Sequence, residues 1–304
     1  MKKLSKVIIS SLIFIFLFFV LEVYVYHREF KNAGWGKPMS YSFFNPDIES
    51  SDVSQMGRPL ECLPSQKNPI LLFGCSFAFG IYLEDEQTFG YKLSKILDRA
   101  VINRSVGGGS MAHMLYQTEN EDFYKQVPKC KDVIYVIIDD TTRRLYVDTF
   151  LVTLPYFNIH YKKRKNDLVL VEYKNPFVNL FKSLYLYKFF QHKYVEYYLK
   201  NPENADEISE LELMYFLNTR ENLEKNWKEK VNFTIVFYNN FYLGSSVETE
   251  EKLVQKLKEN GFNVIKVSDI TDESIMQGMY IIPNDGHPTE TAWNLLTPLI
   301  AKKL

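Results

Sequence analysis

A serine closes the apolar run Leu71-Leu72-Phe73-Gly74-Cys75-Ser76, and a histidine lies near the C-terminus in Asn284-Asp285-Gly286-His287-Pro288. A hydroxyl at its free pKa is a weak nucleophile, so a serine that attacks an acyl carbonyl needs a neighbouring base. A histidine held in the correct tautomer by a carboxylate supplies that base. Ser76, His287 and Asp285 are therefore the candidates for nucleophile, base and orienting carboxylate. A third segment, Asn103-Arg104-Ser105-Val106-Gly107-Gly108-Gly109-Ser110, brings small residues whose backbone N–H groups can approach an oxyanion. Taken singly, each has a plainer reading. Gly-x-Ser after a strand is an ordinary turn without the G-x-S-x-G pattern of an elbow, and Asp-Gly-His-Pro is an acceptable loop.

Three such segments can meet only if the fold brings them together, and the surrounding pattern is of that kind. Short apolar runs at Pro69–Gly74, Ala100–Asn103 and Lys131–Asp140 read as buried strands, and the segment 87–100 between the first two carries apolar residues at helical spacing. The alternation resumes with a helix over 208–230, a strand over 231–238, a helix over 249–261 stopped by Gly261, a strand over 263–269 and a terminal helix over 289–304. Strands that alternate with helices pair in parallel through right-handed crossovers and are covered on both faces. In such sheets ligands collect outside the carboxyl ends of the strands, where Ser76, the glycine segment and the Asp285–His287 segment all fall.

The pattern breaks at about 145–205. Two strand-like runs flank Lys163 to Asp167, a hairpin signal, and an aromatic helix follows with Phe177, Phe181, Tyr185, Phe189, Phe190, Tyr194, Tyr197 and Tyr198 interleaved with lysines. That face either packs on a core or lid or meets a membrane or an acyl chain. Residues 27–68, rich in Gly and Pro with little periodicity, read as a linker and lead-in to a domain at 69–304.

At the N-terminus, Lys2, Lys3 and Lys6 precede an apolar run over 7–26, long enough for a bilayer helix. No small-residue cleavage site follows it, so an uncleaved anchor is expected. The positive-inside rule leaves residues 1–6 in the cytoplasm and sends the rest across the membrane. The formal net charge of -1 and pI of about 6.5 set nucleic acid aside as a partner. Among Cys62, Cys75 and Cys130, an odd count, either a Cys62–Cys130 bridge or three unpaired thiols fits, and Cys75 is expected to turn inward beside the serine. His27, His113, His160 and His192 show no metal-ligand spacing, and no GxxxxGK phosphate loop occurs, so neither metal nor cofactor is expected.

In these motifs the chain resembles the SGNH (GDSL-type) hydrolase family over 69–304, the insertion apart. Gly74-Cys75-Ser76 resembles the family's Gly-Asp-Ser block, Asn103 to Gly108 its glycine block, and Asp285-Gly286-His287-Pro288 its acid-histidine block. The resemblance implies a flavodoxin-like three-layer α/β sandwich with a mostly parallel sheet. It also implies Ser76 as nucleophile, His287 as base, Asp285 as orienter, and the Ser76 and Gly108 amides as oxyanion donors. The family's Gly-x-Asn-Asp block has no clean counterpart in Tyr135 to Arg144. One register puts Thr141 at the oxyanion asparagine and another puts Asp139 there, where an ionised carboxylate would repel the oxyanion. Arg143 and Arg144 follow as salt-bridged surface residues or as grips for an acidic sugar or carboxylate.

The activity implied is ester hydrolysis through an acyl-enzyme, with O-acyl groups of cell-envelope polysaccharide as substrate and lipid esters next. O-acyl transfer uses the same residues, and a non-catalytic glycan- or partner-binding protein is the reading from another class.

Overall fold

The computed structural model describes residues 68–146, 159, 161–165, 167–171, 185–238, 246–283 and 286–304, with scattered positions between 13 and 24. The expected lead-in at 27–68 lies outside them except for its last residue, as do Cys62 and Asp285. Of the expected anchor at 7–26, the described positions are helical, and Ile13, Phe14, Phe16, Leu17, Val20 and Leu21 are exposed. Among the described residues no helix is long and apolar enough to cross a membrane.

The domain opens with strand β1 (Ile70–Gly74), the one-turn helix α1 (Ser76–Phe79), α2 (Phe89–Leu97) and β2 (Val101–Asn103). Helices α3 (Met111–Glu119) and α4 (Glu121–Gln126) lead to β3 (Asp132–Ile137) and α5 (Asp139–Tyr146). The hairpin β4 (Tyr161–Arg164) and β5 (Asp167–Leu170) is followed by α6 (Tyr185–Lys200) and the long α7 (Ala205–Trp227). Strand β6 (Asn232–Phe237), α8 (Val247–Glu259), β7 (Asn263–Lys266) and α9 (Glu290–Ala301) complete the order.

The main sheet has five strands in the order β2-β1-β3-β6-β7, and every pairing in it is parallel. This is the flavodoxin-like arrangement. From β1 the chain steps outward to β2, whereas β3, β6 and β7 follow in the other direction, so the switch point lies between β1 and β3.

Side chains in the strands alternate between two cores. Leu71, Phe73, Val133, Tyr135 and Ile137 face one core with α3, α7 and α8. Ile70, Leu72, Ile134 and Val136 face the other with α2 and α9. Both faces are buried, which is why these strands read as continuous apolar runs rather than as alternation. Each fully buried leucine, isoleucine or phenylalanine contributes roughly 1.5–3 kcal/mol relative to exposure, so the two cores hold the sheet and hence the loops at its carboxyl edge.

Within the segment 145–205, where the alternating pattern breaks, the described residues form the hairpin β4–β5 and the helix α6. Hairpin β4–β5 is antiparallel and packs on the α7 side. There Tyr161 meets Tyr215 edge to face and its hydroxyl donates to the Glu119 carboxylate at 2.5 Å. The aromatic helix divides its faces: Val195 and Leu199 are buried with Ile208 of α7, against Tyr146 and Tyr198, while Phe190, Tyr194 and Tyr197 are exposed. Phe177 and Phe181 lie outside the described residues.

Candidate active site

Strand β1 ends at Gly74, and the chain turns at once into α1 with Ser76 as its first residue and Cys75 as an extended N-cap. A side chain at Gly74 has no room, because its Cβ would lie 2.7 Å from the Ala78 Cβ and 3.0 Å from the Val136 carbonyl oxygen. Glycine lets α1 fold back against the sheet. Cys75 is fully buried in the core on the α2 and α9 side, turned inward as its place beside the serine suggests. The Cys130 thiol donates to the Pro128 carbonyl at 3.2 Å.

The second loop is tied to the first. Strand β2 ends in Asn103, whose side-chain amide donates to the Ala78 carbonyl of α1 at 2.8 Å while its oxygen accepts from the Ser105 N–H at 3.0 Å. The Val106 N–H donates to the Gly74 carbonyl at 3.0 Å. These bonds draw the glycine segment onto the Ser76 turn, with Gly108 half-buried and left-handed at φ 71°. Arg104 is held from below: its Nε donates to Gln117 at 3.1 Å, and burial lowers its guanidinium to about 10, so it stays charged at neutral pH. His113 accepts the Ser110 N–H on Nδ1 at 3.1 Å. That bond makes it a cap of α3.

His287 arrives from the far end of the chain on a tight return. The Ile282 N–H donates to the His287 carbonyl at 2.8 Å, the Gly286 N–H donates to the Ile282 carbonyl at 3.1 Å, and Ile281 bridges Pro288. Helix α9 then fixes the return. Thr289 caps it, Trp293 is fully buried with Phe89 at 4.9 Å between ring centroids, and Lys92 pairs with Glu290 at 3.0 Å. The outcome is that His287 Nε2 lies 2.8 Å from Ser76 Oγ, across 211 residues of sequence. Phe77 and Tyr82 lie against the imidazole at 5.1 and 5.6 Å between centroids. Ser76 is 4% exposed and His287 half-buried, so the hydroxyl sits in a largely desolvated setting, where dipolar interactions are stronger than in water. In the core on the other face of the sheet, burial holds the Tyr135 phenol protonated, well above its ordinary range.

The loop after β3 is used differently from what the sequence suggests. Thr141 is fully buried and its hydroxyl donates to the Ile138 carbonyl at 2.5 Å. With its single proton committed inward, it is not an oxyanion donor. Arg144 does not project as a substrate grip; its guanidinium donates to the Gly109 carbonyl at 2.9 Å and so braces the glycine loop. Arg143 is 7% exposed, neither a surface residue nor one presented to solvent. Thr142 donates to the buried carboxylate of Glu212 on α7. The bracing by Asn103 and Arg144 and the rings on His287 carry no local motif in the sequence, since each is a contact between distant segments. The side chain of Asp139 and the whole of Asp285 lie outside the described residues. Among those described, no cluster of three His, Cys, Asp or Glu side chains forms a metal site.

Fold and site thus define an α/β protein with a serine–histidine pair at the carboxyl edge of a parallel sheet, beside its switch point. No family model matches the chain, and no curated protein matches it. Among solved structures it is similar to GDSL-type lipolytic proteins and esterases. A member of the lipolytic G-D-S-L family from Veillonella parvula matches at 13% identity and a TM-score of 0.45, covering 78% of this chain and 97% of that one. A catalytic mutant of an acetylxylan esterase from Geobacillus stearothermophilus matches at 12% identity and 0.41, covering 78% and 94%. A carbohydrate esterase family 2 enzyme with a carbohydrate-binding domain from Corynascus matches at 10% and 0.43, covering 80% and 67%. At these scores the likeness bears on neither substrate nor mechanism, and both rest on the residues.

Proposed function

We propose that this chain is an SGNH-type serine ester hydrolase. The observation that carries the reading is the 2.8 Å contact between His287 Nε2 and Ser76 Oγ, within the reach a general base requires. In the reaction, Ser76 Oγ attacks the ester carbonyl carbon while His287 Nε2 takes the hydroxyl proton. The carbonyl oxygen becomes an oxyanion facing the Ser76 and Gly108 N–H groups. Collapse breaks the bond to the alcohol, which leaves with the proton from His287, and an acyl-Ser76 ester remains. Water or an acceptor hydroxyl, deprotonated by His287, then attacks that ester, and His287 returns the proton to Ser76 Oγ as the bond to the acyl carbon breaks. Asp285 is the orienting carboxylate in this scheme.

The substrate class follows from the resemblance to SGNH proteins of the cell envelope: O-acyl groups on polysaccharide, with the domain held outside the cytoplasmic membrane by residues 7–26. Lys2, Lys3 and Lys6 before the apolar run support that orientation. The full chain should stay in the membrane pellet after alkaline extraction and be cut by protease added from the outer side. Release by alkali would remove the anchor from the proposal.

One observation favours the rival reading, a non-catalytic binding protein: the inward hydroxyl of Thr141 withholds a third oxyanion donor, a loss typically worth about 10²–10³ in turnover. Covalent labelling of the detergent-solubilised full chain with a fluorophosphonate decides between the two. The hydrolase gives a labelled band that vanishes in Ser76→Ala and fades sharply in His287→Ala. A folded chain that takes no label is the binding protein.

A further inference from the structure

Three glycines in a row, Gly107-Gly108-Gly109, carry the N–H assigned above to the oxyanion. Without a Cβ such a run rotates its peptides freely, and ordering it costs more backbone entropy than ordering any other residue type. A donor built on it is useful only where neighbouring contacts hold it, because dipoles that stabilise a developing charge must be oriented before the charge appears.

The structure supplies those contacts on both sides of Gly108. Upstream, the Val106 N–H donates to the Gly74 carbonyl at 3.0 Å. Downstream, the Gly109 N–H donates to the Val106 carbonyl at 2.8 Å, closing a turn that holds Gly108 in its left-handed conformation. The next peptide is clamped at both ends. Arg144 Nη1 donates to the Gly109 carbonyl at 2.9 Å, and the Ser110 N–H donates to Nδ1 of the buried His113 at 3.1 Å. Each peptide unit from Ser105 to Ser110 is thus bonded except Gly107–Gly108, whose N–H has no acceptor among the described residues. A turn that fixes the neighbouring peptides and leaves one N–H unbonded presents that N–H to another acceptor.

Arg144 is the member of this set that local folding does not require. His113 caps α3, and Val106 and Gly109 close their own turn, whereas Arg144 reaches in from α5 across 35 residues of sequence. Its guanidinium carries five N–H donors, and the one spent on the Gly109 carbonyl makes a charge-assisted bond, roughly twice as strong as a neutral one. The same helix offers the oxyanion nothing through Thr141, whose hydroxyl is turned inward. The burden therefore falls on backbone donors, and their aim matters more.

We infer that Arg144 is a positioning residue for ester hydrolysis: through the Gly109 carbonyl it keeps the Gly108 N–H aimed at the oxyanion. This role rests on the Ser76–His287 reading and gives α5 an indirect share in that site.

The test uses the detergent-solubilised full chain with 4-nitrophenyl acetate as substrate and methylboronic acid as inhibitor. Boron takes Ser76 Oγ as its fourth ligand while the hydroxyl proton passes to His287, so the adduct mimics the tetrahedral intermediate. In Arg144→Met, kcat should fall about 10²-fold with KM changed less than about twofold, and the boronate inhibition constant should rise in step with the loss of kcat/KM. Arg144→Lys, which can donate to the same carbonyl, should recover about tenfold of the loss. A kcat within about threefold of the parent overturns the inference. So does a loss of turnover that leaves the boronate constant unmoved or that Arg144→Lys does not repair, which marks a structural residue. Where Arg144→Met is recovered unfolded, Arg144→Lys and Arg144→Gln are read in its place: a fall in kcat matched by the boronate constant sustains the inference, and parent-like kcat rejects it. Failure of the hydrolase reading looks different. The wild-type chain then takes no fluorophosphonate label and turns over no ester, which ends both, whereas failure of this inference alone leaves an active parent and an Arg144→Met that matches it.

Discussion

Two hydroxyls follow neighbouring parallel strands, and the fold uses them in opposite ways. Ser76 begins the turn after β1 and meets His287 Nε2 at 2.8 Å. Thr141 lies in the first turn of α5 after β3 and donates to the carbonyl of Ile138, the first residue beyond the strand. Both are almost wholly buried, so exposure does not separate them. What separates them is the group that receives the proton. A hydroxyl bonded to a backbone carbonyl within its own turn stabilises that turn, whereas one bonded to an imidazole has a partner able to take the proton away.

The comparison can be broken from either side. The largest effect is expected for His287→Ala, where kcat/KM on an acetate ester should fall by roughly four to six orders of magnitude, with a melting temperature close to that of the parent. Steady-state turnover with matched fluorophosphonate labelling checks this, and an activity loss of less than tenfold would remove His287 as the base.

Next comes Asn103→Leu. It cuts the bonds to the Ala78 carbonyl and the Ser105 N–H and so loosens α1 from the glycine loop. Misplacement of this kind costs up to about 10²-fold in kcat, together with about 1–3 kcal/mol of stability for the buried groups left unpaired. Kinetics and urea unfolding on the same preparation separate the two. Unchanged kcat would mean that α1 holds its place without Asn103.

Gly74→Ala addresses the space behind Ser76. A Cβ at that position overlaps Ala78 and the Val136 carbonyl, and overpacking of that sort costs about 1–3 kcal/mol, readable as a fall in the unfolding midpoint. A variant as stable as the parent would show that the turn can move off β3.

The smallest effect is expected at Thr141→Val. It should cost about 1 kcal/mol, the net worth of one buried hydrogen bond, and change kcat less than about threefold. A fall of about 10²–10³ in kcat, the signature of a lost oxyanion donor, would make Thr141 part of the chemistry and erase the contrast with Ser76.

Much of the architecture was legible in the chain. The runs Ile70 to Gly74, Val133 to Ile138 and, Thr234 apart, Phe233 to Tyr238 are apolar, as strands buried on both faces must be. The helices between them carry their apolar residues at helical period. The placement of Ser76, Gly108 and His287 at the carboxyl edge followed from motif position relative to those strands. The hairpin β4–β5 and the helix α6 were legible as a break in the alternation. Which face of α6 it would bury was not, since aromatics occur around much of that helix.

Local chemistry therefore determined the elements and named the reactive residue types, because strand burial, helix period and glycine turns are fixed within a few residues of sequence. The tertiary structure alone decided that Ser76 and His287 meet, that Thr141 points inward, that Arg144 braces Gly109 rather than a ligand, and that Tyr82 stands beside the imidazole. Each of these depends on the direction of a side chain toward a partner distant in the chain or on the receiver of a single proton. Packing of α9 on α2 settles the meeting of Ser76 and His287, and the contacts of α5 with its own turn and with the glycine loop settle Thr141 and Arg144.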